Sequence, residues 1–393
     1  MAPNRRTLLR PDAQEIAAGW LFGDLVEAPT VTTASTPRVA LEAAIRPCLQ
    51  RPPCLVAFSG GRDSSALLAC ASHLATRERL DPPIAVTLRF PFPQTHESTW
   101  QELVVAHLGV DDWLRVPLDQ ELDCVGPLAQ RVLRAHGVLF PANVHIVAAL
   151  AEHGRGGSLL TGLEADFVFG SWPWADVADV LAGRAGFRPA HMRRLVHAVS
   201  PAWLRSEIEL RRTAMRLPWL REPHRSRLAR ELARERVRPP RTWSARMAHL
   251  AKVRSSQACA WSAALVGADH DVVVGSPFVD ATFLAALARA GGRTGWGNRT
   301  ATMDALFGDL LPHEILARRG KATFTNAFLA SPTRQFALEW DGRAGIDPDV
   351  VDGETLRAVW TAPNPHFGSA MLLQAAWLAA HPARSQASWL AEP

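Results

Sequence analysis

Residues 54–75 read CLVAF-SGGRDSS-ALLACASHLA, and this stretch decides the fold. Cys54–Phe58 is a short apolar run of the kind that forms a buried parallel strand. An apolar-periodic helix follows from about Ser64 to Ala75. Between them, Gly60 and Gly61 carry no side chain to block an approaching ligand, so backbone N–H groups can turn inward. Ser64 and Ser65 fall at the helix start, where unpaired N–H groups and the helix dipole favour an anion. Asp63 sets a carboxylate beside that anion site. Alone it would repel phosphate, so it makes sense as a ligand for a bridging Mg²⁺. No G-x-x-x-x-G-K-[ST] loop occurs in the chain.

Outward from this loop, further strands are expected at Ile84–Phe90, Leu114–Pro117 and Ser158–Thr161, with helices at Pro37–Leu49, Ser98–Leu108 and Asn143–Glu152 between and before them. Strands alternating with helices call for a parallel sheet with right-handed crossovers. From Asp176 to Ala290, and again from Ala301 to Ala317, the pattern is mainly helical. The expectation is therefore an α/β fold, a parallel sheet flanked by helices, with a mainly helical C-terminal half. Its parts are a short arm (1–36), an α/β core (37–175) and a helical region (176–393) packed on the core.

Composition narrows the class. The chain has 393 residues, 48% apolar and 21% charged, the ordinary globular range. No apolar run approaches the ~20 residues that span a bilayer, and the N-terminus lacks a signal-peptide pattern, so a cytoplasmic protein is expected with no membrane partner. Five cysteines form no C-x-x-C pair, which argues against a disulfide framework or a cysteine-based metal site. Tyrosine is absent, and lysine occurs only at Lys252 and Lys321; every other cation among 43 is arginine. Sixteen arginines stand against five acids between Arg188 and Arg246, although the whole chain is only +5. Such a block suits an acidic peptide, a phosphate-bearing ligand or nucleic acid, or else is simply a solvated helical face.

The SGGRDSS segment resembles the S-G-G-x-D-S-S pyrophosphate loop of the ATP pyrophosphatases. Three later segments resemble asparagine synthetases in order and spacing: Thr161–Gly170 (TGLEADFVFG), Ser276–Asp280 (SPFVD) and Leu311–Phe324 (LPHEILARRGKATF). The resemblance implies ATP and Mg²⁺ as cofactors. It implies that Asp63 and Asp166 hold Mg²⁺ and that Ser59, Gly60, Gly61, Ser64 and Ser65 cradle pyrophosphate. Backbone along Val86–Arg89, including Leu88, and near Gly162 would meet the adenosine. Lys321 would face the α-phosphate as a catalytic cation. The rarity of lysine here supports that role, since arginine would serve wherever cation identity is free. Asp280 is expected to cap the helix beginning near Ala281.

The chain also departs from that family. Only 58 residues precede Ser59, fewer than the ~100–150 of a typical domain, so a glutaminase domain at that end is not expected. Leu163 and Phe167 stand where the family has glutamates, and Glu164 stands at its glycine position. Glu164 is the candidate base for the attacking amine if its loop turns it inward. The tyrosine–glutamate pair of the similar β-lactam and carbapenam synthetases is excluded for want of tyrosine.

The expected function is ATP-dependent amide-bond formation through an acyl-adenylate, with release of AMP and pyrophosphate. The altered acidic loop points to a specialised ligase or macrolactam cyclase, like the lasso-peptide cyclases that share this domain. Partners would be a small-molecule or peptide carboxylate and an amine, with a separate glutaminase or a precursor-peptide-binding protein as helper. A nucleotide-binding pseudoenzyme or accessory subunit is the second reading. A tRNA-modifying adenylating enzyme is the third; the later motifs fit it less well, so nucleic acid is not the expected partner.

Overall fold

Strand β1 (Cys54–Ala57) lies at the centre of a five-stranded sheet with β2 (Ile84–Arg89), β3 (Trp113–Pro117), β4 (Ser158–Leu160) and β5 (Val273–Gly275), in the order β3-β2-β1-β4-β5. Every pairing is parallel. The computed structural model describes residues 9–25, 31–91, 98–170, 172–184, 196, 200–318 and 325–382. The expected α/β architecture is what the protein adopts. β5 comes from the half read as helical, so the sheet reaches beyond 37–175. Its three residues are too few to show a period, and Val273 at the sheet's edge is 44% exposed.

The first helices in chain order are α1 (Ala13–Ala18), α2 (Pro37–Leu49), α3 (Arg62–Glu78), α4 (Ser98–Leu108), α5 (Pro127–His136), α6 (Ile146–Ala151) and α7 (Ala165–Phe169). They continue with α8 (Ala175–Leu181), α9 (Ala202–Ala214), α10 (His224–Val237), α11 (Trp243–Leu250), α12 (Arg254–Ala268), α13 (Ala281–Gly291) and α14 (Arg299–Phe307). Alternation along each strand divides the core between the two faces of the sheet. Cys54, Val56, Ala85 and Leu160 join Ile45 of α2, Leu67 of α3 and Phe283 of α13 in one cluster. Leu55, Val86 and Leu159 join Val147 of α6 and Ala263 of α12 in the other. Asp280 caps α13 as expected, accepting from the amides of Thr282 (2.8 Å) and Phe283 (3.0 Å). Among the described residues no helix is long and apolar enough to cross a membrane.

The arm folds back onto the body. Asp12 and Glu15 form a reciprocal capping box at the start of α1. Glu15 is buried against Arg254, whose Nη2 lies 3.0 Å from its Oε2. Gly19 ends the helix at φ 70°, where a Cβ would come within 2.0 Å of the Gly368 carbonyl oxygen, so only glycine fits. Trp20 and the buried Leu21 follow directly.

Asp123 ties the α/β half to the C-terminal helices. Its fully buried carboxylate accepts from the amides of Val125 (2.9 Å) and Ala330 (2.6 Å) and from the Thr333 hydroxyl (2.8 Å). Asp123→Ala strands the Ala330 and Thr333 donors, and a loss of about 2–4 kcal/mol in unfolding free energy is expected by denaturant titration. A loss below about 0.5 kcal/mol would show that this network is not what joins the two halves.

Candidate active site

β1 lies between β2 and β4, so the chain leaves β1 toward one side of the sheet and returns on the other. In an open parallel sheet this switch leaves a crevice beyond the strand ends, with two connecting loops on its rim. Ser59–Gly61 follows β1 and Thr161–Leu163 follows β4, and both segments border a cavity of about 800 Å³. A second cleft of about 540 Å³, at Val116, Arg134 and His153, contains none of the expected site residues.

The glycine loop is held by its carbonyls. Gln101 Nε2 donates to the Ser59 oxygen (2.9 Å), and Arg318 Nη1 donates to the Gly60 oxygen (2.7 Å). In a trans peptide the N–H points opposite to its carbonyl, so these contacts turn the Gly60 and Gly61 amides to the far side of the loop. Gly60 has φ 83°, and a Cβ there would come within 2.7 Å of Gln101 Cγ; the tight turn therefore requires glycine. Ser59 Oγ and Ser64 Oγ lie 3.1 Å apart, and Ser64 donates to the Gly61 carbonyl at 3.1 Å. α3 starts at Arg62 with no side-chain cap on Gly61, leaving its first turn to meet an anion.

The two expected metal ligands converge. Arg299, the first residue of α14, forms ion pairs with both Asp63 and Asp166, the latter at 3.0 Å. Burial works against the Arg299 charge, but the two carboxylates overcome it and hold the guanidinium above its ordinary pKa. Arg62 is shifted the other way, lowered by burial and by Arg299. Asp63 Oδ1 is buried and has no hydrogen-bond partner. Two hard oxygen donors aimed at one cation position, one with an unused buried oxygen, suit Mg²⁺, which binds through one or two carboxylates plus substrate phosphates. Among the described residues no cluster of three or more His, Cys, Asp or Glu forms a cage for another metal.

The far end of the cavity is apolar. Leu163 and Phe167 line it together with Trp20, Phe90, Phe140 and Phe328. Trp20 sets its ring 5.5 Å from Phe140 and 6.3 Å from Phe167, centroid to centroid. Glu164 lies behind this wall. Its carboxyl is 0% exposed and accepts from Ser276 Oγ at 2.9 Å, while Oε2 has no partner. Burial raises its pKa to about 7. Cys259 lines the cavity, and its thiol is pushed well above the usual range by burial and by Glu164.

Of the residues singled out from sequence, Ser59, Gly61, Asp63, Ser64, Val86, Leu88, Gly162 and Asp166 all border this one cavity. Gly60 and Ser65, also expected there, are buried and do not line it. Glu164, the carboxyl offered as a base, is fully buried and does not itself line the cavity; it lies against Ser276 and against Cys259, which does. Lys321 lies outside the described residues. Sequence reasoning missed Arg299, Arg318, Gln101 and Trp20. A weak signal existed for Arg299: Asn298 caps the following helix and puts Arg299 at its first position. In so arginine-rich a chain that signal does not stand out.

Compared with known protein families, residues 37–389 match the model described as asparagine synthase. No curated protein matches the chain.

Two outcomes follow from this geometry. Arg299→Met leaves Asp63 and Asp166 repelling one another, so its melting temperature should fall by about 2–4 °C in EDTA and recover in millimolar Mg²⁺. A variant indifferent to Mg²⁺ would show that the two carboxylates are not a metal pair. The pKa of Glu164 is raised on folding from 4.5 to about 7. Its contribution to stability is therefore complete below pH 4.5 and is lost as pH rises through 7. Glu164→Gln should flatten that decline, leaving the variant up to about 3 kcal/mol better off above pH 7 relative to wild type than it is below pH 4.5; parallel curves from denaturant titrations across this range would refute the assignment.

Proposed function

The chain belongs to the asparagine synthase family of ATP-dependent ligases, and on that premise we propose that it joins a carboxylate to an amine through an acyl-adenylate. The observation that carries this reading is the meeting of Asp63 and Asp166, in the first turns of the helices that follow β1 and β4, on one cation beside the glycine loop. Asp63 and Asp166 would hold Mg²⁺, whose charge would offset that of the nucleotide phosphates. With the carbonyls of Ser59 and Gly60 held by Gln101 and Arg318, the Gly60 amide, and the Gly61 amide on leaving the Ser59 hydroxyl, would meet the β- and γ-phosphates. Val86, Leu88 and Gly162 would border the adenosine. With ATP so placed, a substrate carboxylate attacks the α-phosphorus and pyrophosphate departs toward α3 and its first-turn amides. Arg299, which pairs with both carboxylates here, would be free to accompany that leaving charge once they hold the metal. Lys321 keeps the role that resemblance implies, opposite the α-phosphate.

The second half-reaction takes its character from the apolar wall. Leu163 and Phe167 offer no base where the family has glutamates, and Glu164 is sealed behind them. An amine that arrives unprotonated, presented by a larger apolar substrate such as a peptide closing on itself, fits this wall better than aspartate does. A separate helper protein would then present the peptide. The same replacements favour a second reading, a nucleotide-binding pseudoenzyme.

Pyrophosphate exchange into ATP, driven by a panel of carboxylic acids and acidic peptides, tests the reading. At least one acid should support exchange, and Asp63→Ala should lower it by about 10²–10³-fold. Exchange that ignores Asp63→Ala would overturn the assignment. Tight ATP binding with no exchange and no AMP release for any acid would favour the pseudoenzyme.

A further inference from the structure

Several arginines of the α9–α10 hairpin have acidic partners. Arg212 and Arg236 share Glu209, Arg225 pairs with Glu222, and Arg238 with Glu235. Arg205 and Arg241 differ. Both guanidiniums lie over the ring of Trp174, at 5.0 and 5.1 Å from its centroid, and neither has a hydrogen bond or ion pair among the described residues. Arg205 and Trp174 are each only 5% exposed. Arg205 Nε and Trp174 Nε1 are both buried and both lack an acceptor. Burial and the neighbouring Arg241 charge together depress the Arg205 pKa, as expected of a cation without a counter-ion.

Buried donors almost always find an acceptor, and two in contact without one, beside a second like charge, are a costly arrangement. Cation–π attraction to one indole offsets part of that cost, but supplies no acceptor for the N–H groups. All the unused groups are donors, two of them cationic, so what they lack is an oxygen ligand with negative charge. We propose that Arg205, Arg241 and the Trp174 indole N–H form an oxyanion site that takes a carboxylate or phosphate group. None of the three borders the nucleotide cavity, so this site stands whether or not the ligase reading does. It joins three parts of the chain. Arg205 lies on α9, Trp174 precedes α8, and Arg241 precedes α11, where the Pro240 carbonyl accepts from Trp172 Nε1 at 2.9 Å. A bound anion would fasten the arginine-rich hairpin to the segment that leads out of α7, the helix bearing Asp166 and Phe167.

The test is calorimetric titration of the full chain at low salt, with α,β-methylene-ATP present to occupy the glycine loop. Inorganic phosphate is the probe in one arm and N-acetylglutamate in the other. Arg241 is exposed, so Arg241→Gln leaves the core intact, and Trp174→Phe removes the N–H while keeping the ring. Circular dichroism checks that both variants fold. Binding of either probe to wild type, weakened about tenfold in Arg241→Gln and several-fold in Trp174→Phe, supports the site; which probe binds tells phosphate from carboxylate as its ligand. Failure of both probes to bind, or affinities unchanged in either variant, overturns it.

Discussion

Asp63 and Asp166 cannot stand side by side without a cation between them. Two carboxylates sharing one position repel strongly when partly removed from water, and the parallel pairing of β1 with β4 sets side by side the helices that carry them in their first turns. Arg299 meets that need in the protein as described. Its guanidinium is therefore both a structural counter-ion and a competitor for the metal. On the proposed reading, Arg299 would give up its bridge where Mg²⁺ is to be held. Because Arg299 opens α14, that exchange reaches from the loop after β1 into the helical half.

The rest of the architecture serves this meeting point. Alternating strand residues fill the two faces of the sheet with separate cores, and one of these flanks both of the site's loops, with Phe58 and Ala66 beside the first and Leu160 and Ala165 beside the second. Gln101 from α4 and Arg318 beyond α14 hold the glycine loop by its carbonyls, so its amides are preset before any ligand arrives. Such presetting matters because a donor already in place does not have to reorganise as charge develops. The apolar end of the same cavity has the opposite character, with aromatic rings from the arm, from the segment before α6 and from α7 in edge and tilted contact.

How far this could be read from sequence depended on how local each signal was. The strand, glycine loop and helix of residues 54–75 lie within one stretch and state their own geometry, and the cap at Asp280 is equally local. β5 was hidden because three residues carry no period. The bridge by Arg299 was hidden because it joins residues 133 and 236 positions apart, and no local pattern encodes such a pairing. Glu164 shows a different limit. Its position in the loop was legible, but its direction depends on Ser276 and Cys259, which arrive more than 90 residues later. A motif placed the residue, and tertiary packing decided which way it faced.

Trp20 gives the arm a significance beyond anchoring. Through the capping box, the Glu15–Arg254 pair and the close approach of Gly19 to Gly368, residues 12–20 are seated firmly, and the indole they deliver forms part of the wall where a substrate would rest. The arm thus adds to the wall without supplying any residue around Asp63, although α7 supplies both Asp166 and Phe167. Substrate preference can drift through small changes in the arm while nucleotide handling stays constant, so diversification of this scaffold has a ready route that leaves the glycine loop untouched.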